Sequence, residues 1–102
     1  MSNKIKIGIN GLGRIGRCVA RAIYELDYDN IELVAVNGPA EINTHIHLLK
    51  YDSVHGRFNQ EVRAEADNII KINNDKIKLF RERDPKNIPW GELGVDIVLE
   101  CT

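Results

Sequence analysis

The sequence predicts an α/β fold built on a doubly wound, mostly parallel sheet, and three observations support this prediction. The first is a stretch at residues 4–10 with β-branched Ile5, Ile7 and Ile9, which leads into a glycine-rich turn and an amphipathic stretch. The second is an apolar run at residues 31–36, so that strand, helix and strand fill roughly thirty residues, the length of a βαβ unit. The third is the run 95–99, whose apolar character, interrupted only by Asp96, is typical of a parallel strand buried on both faces.

The turn at residues 11–16 reads Gly-Leu-Gly-Arg-Ile-Gly and fits the pattern G-x-G-x-x-G. In such a turn Gly11 permits a tight bend, Gly13 lets the backbone approach a pyrophosphate, and Gly16 lets the helix pack closely on the strand. The following helix, predicted over residues 14–26, offers unpaired N–H groups and a positive dipole end to an anion. Six residues alone are weak evidence, but their position between strand and helix indicates a Rossmann-type dinucleotide site.

Helical spacing divides the side chains of this first helix between the sheet and the solvent. We expect the apolar residues to face the sheet, namely Cys18, Val19, Ala22, Ile23 and Leu26. We expect the charged residues to face water, namely Arg17, Arg21 and Glu25. The polar residues 27–30 should end the helix.

The second strand lacks the acidic residue that usually follows it in a dinucleotide site. Such an acid accepts hydrogen bonds from the adenine ribose and repels a 2′-phosphate. Here the strand ends in Asn37-Gly38, while Glu32 lies too early and Glu41 falls on the next helix. Either Asn37 and the backbone hold the ribose, or the site tolerates NADP.

The later part of the chain reads as a mixture of short elements. We predict a second helix over residues 41–50, a loop at 51–56, and strands at 61–64, 68–72 and 76–80, with a hairpin turn at 73–75. Residues 81–90 contain two prolines and predict a short helical turn near Trp90, which we expect to be a packing anchor. Asn10 precedes the first glycine and either orients the loop or hydrogen-bonds the ligand, or else satisfies a turn carbonyl.

Composition excludes several classes of function. A net charge of −1 gives no reason to expect nucleic acid or an anionic membrane as a partner. No signal peptide and no run of about 20 apolar residues occurs, so we expect a cytosolic protein.

The cysteines and histidines do not indicate a metal site. We expect Cys18 and Cys101 to be small buried thiols, and we expect the histidines at 45, 47 and 55 to be hydrogen-bonded or solvent-facing rather than metal ligands. No catalytic pair can be argued from the residues present.

Five segments, in this order and spacing, resemble the amino-terminal part of the glyceraldehyde-3-phosphate dehydrogenase family: GINGLGRIGR, AVN, LLKYDSVHGRF, ERDP and PWGELGVDIVLECT. The resemblance covers nearly the whole chain. Erythrose-4-phosphate dehydrogenases share most of these motifs, so that substrate is an alternative, and a non-catalytic nucleotide-binding module is another. Residues 1–102 would then form a truncated cofactor-binding domain whose catalytic domain lies outside them.

The resemblance implies a set of cofactor-binding residues: Asn10, Gly11, Gly13, Arg14, Ile15, Asn37, Gly38, Arg83, Cys101 and Thr102. The N–H groups of Arg14 and Ile15 would lie at the pyrophosphate, Asn37 and Gly38 at the adenine ribose, and Arg83 beside the adenine. Cys101 and Thr102 would lie along the nicotinamide. Gly38 stands where the family usually has Asp, so the resemblance implies NAD as cofactor with NADP also accepted.

The resemblance also implies a glycolytic, homotetrameric enzyme. In that family a cysteine thiolate attacks a sugar-phosphate aldehyde, hydride passes to the nicotinamide, and inorganic phosphate releases the acyl group. The family's nucleophilic cysteine motif is absent, and Cys101 does not match it. We therefore expect residues 1–102 alone to catalyse nothing.

Overall fold

A computed structural model describes residues 4–26, 30–52, 56–58 and 60–102 of the chain. Its first half alternates strand and helix, and its second half is mainly strands. The elements in chain order are β1 (Ile5–Asn10), α1 (Arg14–Glu25), β2 (Ile31–Asn37), α2 (Ile42–Lys50), β3 (Tyr51–Asp52), β4 (Gly56–Arg57), β5 (Val62–Ala66), β6 (Ile69–Ile72), β7 (Asp75–Phe80), a 3₁₀ turn (Pro85–Asn87) and β8 (Ile97–Glu100).

Six strands form one sheet in the order β5-β6-β7-β2-β1-β8. The four strands β7, β2, β1 and β8 run parallel to one another. β5 and β6 extend this part as antiparallel neighbours of β7, while β3 and β4 form a separate antiparallel pair. The predicted α/β fold with a mostly parallel, Rossmann-type sheet is confirmed, and the carboxyl ends of its four parallel strands meet along one edge.

The first helix begins where expected but presents a different face to the protein. Arg21, expected in water, is only 3% exposed, whereas Leu26, expected against the sheet, is 63% exposed. The guanidinium of Arg21 lies 5.1 Å from the centre of the Phe58 ring and 3.4 Å from a carboxylate oxygen of Glu25. Because an arginine stem can cover apolar surface while its head stacks on an aromatic ring, the helix buries Arg21.

Several predicted elements of the second half are confirmed with small shifts in their ends. The hairpin turn forms: Ile72 pairs with Asp75, and Asn73 adopts a left-handed conformation with φ of 55°. The region 81–90 contains a 3₁₀ turn at Pro85–Asn87, where Asp84 accepts a hydrogen bond from the Lys86 N–H at 3.0 Å. A further turn lies at Trp90, as predicted, where the Leu93 N–H donates to the Pro89 carbonyl at 3.1 Å.

Two further predictions concern segments that are only partly described. The segment expected to be a loop, 51–56, contains β3 and one residue of β4, and the residues between these strands, His55 included, lie outside the described residues. The turn expected after the first helix lies outside them at 27–29.

The last strand pairs in parallel with β1 but is not buried on both faces as predicted. β8 lies at the edge of the sheet, and its Ile97 and Val98 are 48% and 38% exposed. Asp96 ties the start of this strand to β1, since its carboxylate accepts the Lys6 N–H at 2.9 Å and its own N–H donates to the Lys6 carbonyl at 2.7 Å.

Trp90 packs against β1, as expected of a packing anchor. A Cβ atom placed on Gly8 would approach Cε3 of the Trp90 ring to 2.7 Å, so the strand and the indole are in close contact. Cys18 and Cys101 are thiols, not members of a disulfide, and they are only half-buried rather than buried as expected. Within the described part of the chain, no helix has the length and apolar character needed to cross a membrane.

Candidate functional site

A cleft of about 640 Å³ opens at the carboxyl ends of the parallel strands. In open α/β sheets this edge is where ligands bind. The cleft brings together six residues predicted from the sequence to bind a cofactor: Asn10, Gly11, Asn37, Gly38, Arg83 and Thr102. Its remaining lining residues were not predicted: Pro39, Arg81, Glu82, Pro85 and Glu100.

The start of α1 adjoins this cleft through the glycine turn. Gly13 is the N-cap residue of the helix, and no side chain of the described residues caps it by a hydrogen bond. A Cβ atom placed on Gly13 would meet no atom within 4 Å, and the next residues, Arg14 and Ile15, are exposed. A helix N-terminus with open N–H groups and unobstructed space in front of it suits a phosphate group.

Two glycines of the turn occupy positions that a larger residue would disturb. Gly11 has φ of +105°, and a Cβ atom there would lie 2.8 Å from the Thr102 backbone nitrogen. A Cβ atom on Gly16 would overlap the carbonyl oxygen of Gly11 and lie 3.2 Å from Cγ2 of Ile9. The tight bend and the close helix–strand contact predicted from the motif are therefore confirmed.

A set of hydrogen bonds, which we call the polar bridge (Asn10, Asn37, Glu82 and Glu100), crosses the ends of the strands. The Asn37 amide donates to Oδ1 of Asn10 at 2.8 Å and to the carbonyl of Glu82 at 2.9 Å, and its Oδ1 accepts the Glu82 N–H at 2.9 Å. The Asn10 amide donates to both carboxylate oxygens of Glu100, at 3.0 and 2.9 Å. The side chain of Asn37, buried at 6% exposure, thus fixes the wall of the cleft.

Glu100 is a cleft residue that the sequence analysis missed. Hydrogen bonds from Asn10, and then from the Thr102 hydroxyl at 2.8 Å, lower the pKa of this carboxyl group below its ordinary value. An ionised carboxylate therefore stands at the end of β8. The available signal was its position: Glu100 ends a parallel strand that pairs directly with the strand before the glycine turn.

Cys101 lies beside the cleft, where its N–H donates to the carbonyl of Asn10 at 2.8 Å. Burial, and next the negative charge of Glu100, raise the pKa of its thiol. A raised pKa keeps the thiol protonated, and a thiol is a poor nucleophile compared with a thiolate.

Gly38 follows β2 in the wall of the cleft and has His45 of α2 directly behind it. A Cβ atom on Gly38 would lie 2.7 Å from Cε1 and 2.8 Å from Nε2 of the His45 ring, and 3.0 Å from Cβ of Leu12. His45 is 3% exposed, and neither ring nitrogen has a hydrogen-bond partner of standard geometry among the described residues. His45 is therefore not a solvent-facing histidine, because α2 turns this residue into the protein, where backbone groups of Gly38 and Ala40 lie beside its ring.

Burial lowers the pKa of His45 below its ordinary value. Backbone groups of Gly38 and Ala40 oppose this shift, while the positive charges of Arg17 and Arg81 add to it. The neutral imidazole is therefore favoured. His47, two residues along the helix, is exposed and packs on the ring of Tyr51 with centroids 5.1 Å apart. Among the described residues, no three potential metal ligands form a cluster.

A glycine turn that opens a helix at the carboxyl ends of parallel strands places the protein in the class of dinucleotide-binding α/β domains. Comparison with known proteins gives the particular family. Residues 5–102 match the family described as "Glyceraldehyde 3-phosphate dehydrogenase, NAD binding domain". The chain belongs to this family, which confirms the resemblance found in the sequence.

Curated relatives carry the same family name. The chain is 54% identical over 98 residues to "Glyceraldehyde-3-phosphate dehydrogenase" of Geobacillus stearothermophilus, covering 96% of this chain and 28% of the relative. It is 50% identical over 99 residues to the chromosomal enzyme of Cupriavidus necator, covering 96% and 29%. It is 50% identical over 101 residues to the enzyme of Mycoplasma pneumoniae, covering 99% and 29%. The chain thus spans less than a third of the length of these relatives.

Proposed function

We propose that this chain binds NAD in the cleft, as the cofactor-binding part of a glyceraldehyde-3-phosphate dehydrogenase. The observation that carries this proposal is the uncapped N-terminus of α1, which opens behind Gly11 and Gly13 at the carboxyl ends of the strands. The residues present fit a dinucleotide, since open backbone N–H groups suit a pyrophosphate and the adjoining cleft has room for a ligand. When bound, NAD supplies a hydride acceptor.

Each predicted binding residue has a role in this proposal. The N–H groups of Arg14 and Ile15 hold the pyrophosphate, and Gly13 leaves space for its approach. Arg83 flanks the adenine. Cys101 and Thr102 line the nicotinamide half, next to the Glu100 carboxylate.

The two asparagines contribute to the site mainly by shaping it. The side chains of Asn10 and Asn37 are engaged in the polar bridge, so they orient the walls of the cleft. In this proposal the backbone at Asn37 and Gly38 contacts the adenine ribose.

The cofactor proposal includes NADP as well as NAD. Position 38 carries no carboxylate that would repel a 2′-phosphate, and the nearby lining residues Arg81 and Arg83 are basic. The test is titration of the native-length protein with each nucleotide by isothermal calorimetry. We expect the two dissociation constants to lie within about tenfold of each other, a difference of about 1.4 kcal/mol. A preference for NAD of a hundredfold or more would contradict this.

The native-length protein is proposed to be a phosphorylating aldehyde dehydrogenase of glycolysis, cytoplasmic and homotetrameric. Its substrates are a sugar-phosphate aldehyde and inorganic phosphate, and residues 1–102 supply cofactor binding without the catalytic residues. The short coverage of the curated relatives and the exposed apolar residues of β8 support a longer polypeptide. All three relatives named above are glyceraldehyde-3-phosphate dehydrogenases, which favours that aldehyde over erythrose 4-phosphate.

Steady-state assays decide between these substrates. The native-length protein should reduce NAD with glyceraldehyde 3-phosphate and inorganic phosphate faster than with erythrose 4-phosphate. Residues 1–102 alone should show no turnover with either aldehyde. Turnover by this chain would refute the proposal that it supplies cofactor binding without the catalytic residues. Nucleotide binding without turnover by the native-length protein would instead favour a non-catalytic module.

A further inference from the structure

We propose that His45 is a specificity-determining residue, because its ring fills the space into which a side chain at position 38 would extend. Residues 38 and 45 then select the cofactor as a pair rather than residue 38 alone. This inference rests on the proposed function, since it takes the adenine ribose to lie beside Gly38. Its physical basis is independent of any ligand and lies in the packing of α2 against the end of β2.

The contact distances exclude an undisturbed side chain at position 38. Atoms of the His45 ring lie 2.7 and 2.8 Å from the position of a Cβ on Gly38, and Cβ of Leu12 lies 3.0 Å away on another side. Carbon atoms that are not bonded approach each other favourably at about 3.5–4.0 Å. An aspartate, which adds a carboxylate beyond Cβ, therefore requires the ring or the backbone to move.

The ring of His45 has little freedom to move. It is 3% exposed, and its neighbours on the same helix, Ile42 and Ile46, are buried in the core. Protein interiors are packed as densely as organic crystals, so a buried ring can be displaced only if its surroundings rearrange. A side chain at position 38 therefore has to displace the His45 ring or the backbone around it.

Polar contacts alone do not account for the position of the His45 ring. Both ring nitrogens are buried and lack a hydrogen bond of standard geometry in the described residues, although backbone groups of Gly38 and Ala40 interact with the ring. Its bulk, in contrast, acts directly on position 38. A phenylalanine at position 45, which keeps a ring there, should therefore preserve the exclusion of a side chain at 38, whereas an alanine should weaken it and leave only the contact with Leu12.

The test is a double-mutant cycle in the native-length protein, with wild type, Gly38→Asp, His45→Ala and the double variant. Thermal unfolding without nucleotide reports packing, and the ratio of the NADP and NAD dissociation constants reports selection. We expect Gly38→Asp to lower Tm by several degrees in the wild-type background and by less than half as much in the His45→Ala background. The double variant should shift the ratio toward NAD at least tenfold further than Gly38→Asp alone.

Two controls separate bulk from charge. Gly91→Asp adds the same side chain at a glycine whose Cβ would meet no atom within 4 Å, and it should leave both Tm and the ratio near wild type. Gly38→Asp combined with His45→Phe should behave like Gly38→Asp alone, because the phenyl ring keeps the space filled. If Gly38→Asp does not fold, Gly38→Ala repeats the cycle with a single added carbon.

Additive effects on Tm, with Gly38→Asp equally costly in the wild-type and His45→Ala backgrounds, would overturn the inference. Coupled Tm values with an unchanged nucleotide ratio in the double variant would overturn the role in selection. If the wild-type protein binds neither nucleotide, the proposed function fails and the role in selection with it. The Tm cycle would still show in that case whether the two residues compete for one space.

Discussion

The contact between α1 and β1 at Gly16 predicts a large effect from a single methyl group. In Gly16→Ala the new Cβ would overlap the Gly11 carbonyl oxygen and lie 3.1 Å from its carbon. Because these are backbone atoms of a tight turn, the helix must move away from the strand. Overpacking of this kind costs up to about 3 kcal/mol. Alanine has a higher helix propensity than glycine, which offsets about 1 kcal/mol of this cost. The net loss in the free energy of unfolding is then roughly 2 kcal/mol.

Thermal unfolding and calorimetry measure the two consequences of Gly16→Ala. In the native-length protein, whose Tm responds less to each kcal/mol than that of a small domain, a loss of roughly 2 kcal/mol should lower Tm by several degrees. Displacing the helix N-terminus should also weaken NAD binding by roughly tenfold, because the interaction of an anion with the helix dipole depends on proximity. Wild-type values of both Tm and NAD affinity in this variant would refute the reasoning.

Gly13→Ala is the matched comparison within the same turn. Gly13 has φ of −81° and ψ of −158°, a conformation open to alanine, and its Cβ would meet no protein atom within 4 Å. The change in stability should therefore stay below about 1 kcal/mol. The methyl group would enter the space proposed for the pyrophosphate, so NAD affinity should still fall. Unchanged affinity would mean that the cofactor does not approach Gly13.

Three further predictions follow from the remaining contacts. Tyr24→Phe removes the hydrogen bond from its hydroxyl to Asp75 at 2.9 Å and should cost about 0.5–1.5 kcal/mol in the free energy of unfolding, measured by urea denaturation. Asn10→Ala leaves an amide hydrogen of the buried Asn37 unpaired and should cost about 1–3 kcal/mol in the same assay. Because burial lowers the pKa of His45 in the folded protein, the unfolded chain, in which this pKa is about 6.5, binds the proton more readily as the pH falls. Stability should therefore fall as the pH drops below about 6.5, and less steeply in His45→Leu. Equal pH dependence in both proteins, or wild-type stability in either of the other variants, would contradict these expectations.

The residues that could be predicted from the sequence are those whose roles are set by their immediate neighbours in the chain. The turn at Gly11 and Gly16 was predictable because a strand, a glycine pattern and a helix adjoin one another. The burial of Arg21 was not, since its partner Phe58 comes from a distant segment that the helical pattern does not contain. The same holds for His45, whose surroundings depend on how α2 docks behind Gly38.

The lining of the cleft could also be predicted only in part from the sequence. Residues after β1, β2 and β8 were expected to meet, because apolar runs and the family resemblance placed those strands in parallel. Arg81 and Glu82 were missed as lining residues, since the strand before them reads as one arm of a hairpin. That strand, β7, in fact pairs on its other side with β2 in parallel, which brings its carboxyl end to the cleft. Pairing between strands remote in sequence is not encoded in local periodicity.

The polar bridge has a consequence for how the sheet assembles. Asn10 is the direct register partner of both Asn37 and Glu100, so the three side chains stand in one row across three strands. The rest of these strands is largely aliphatic, and one isoleucine or valine is a poor guide to alignment because another follows two residues later. A slip by one residue would turn a polar side chain to the opposite face. In the observed alignment the buried amides of Asn10 and Asn37 are satisfied and the cleft forms, so the row favours this alignment over its neighbours.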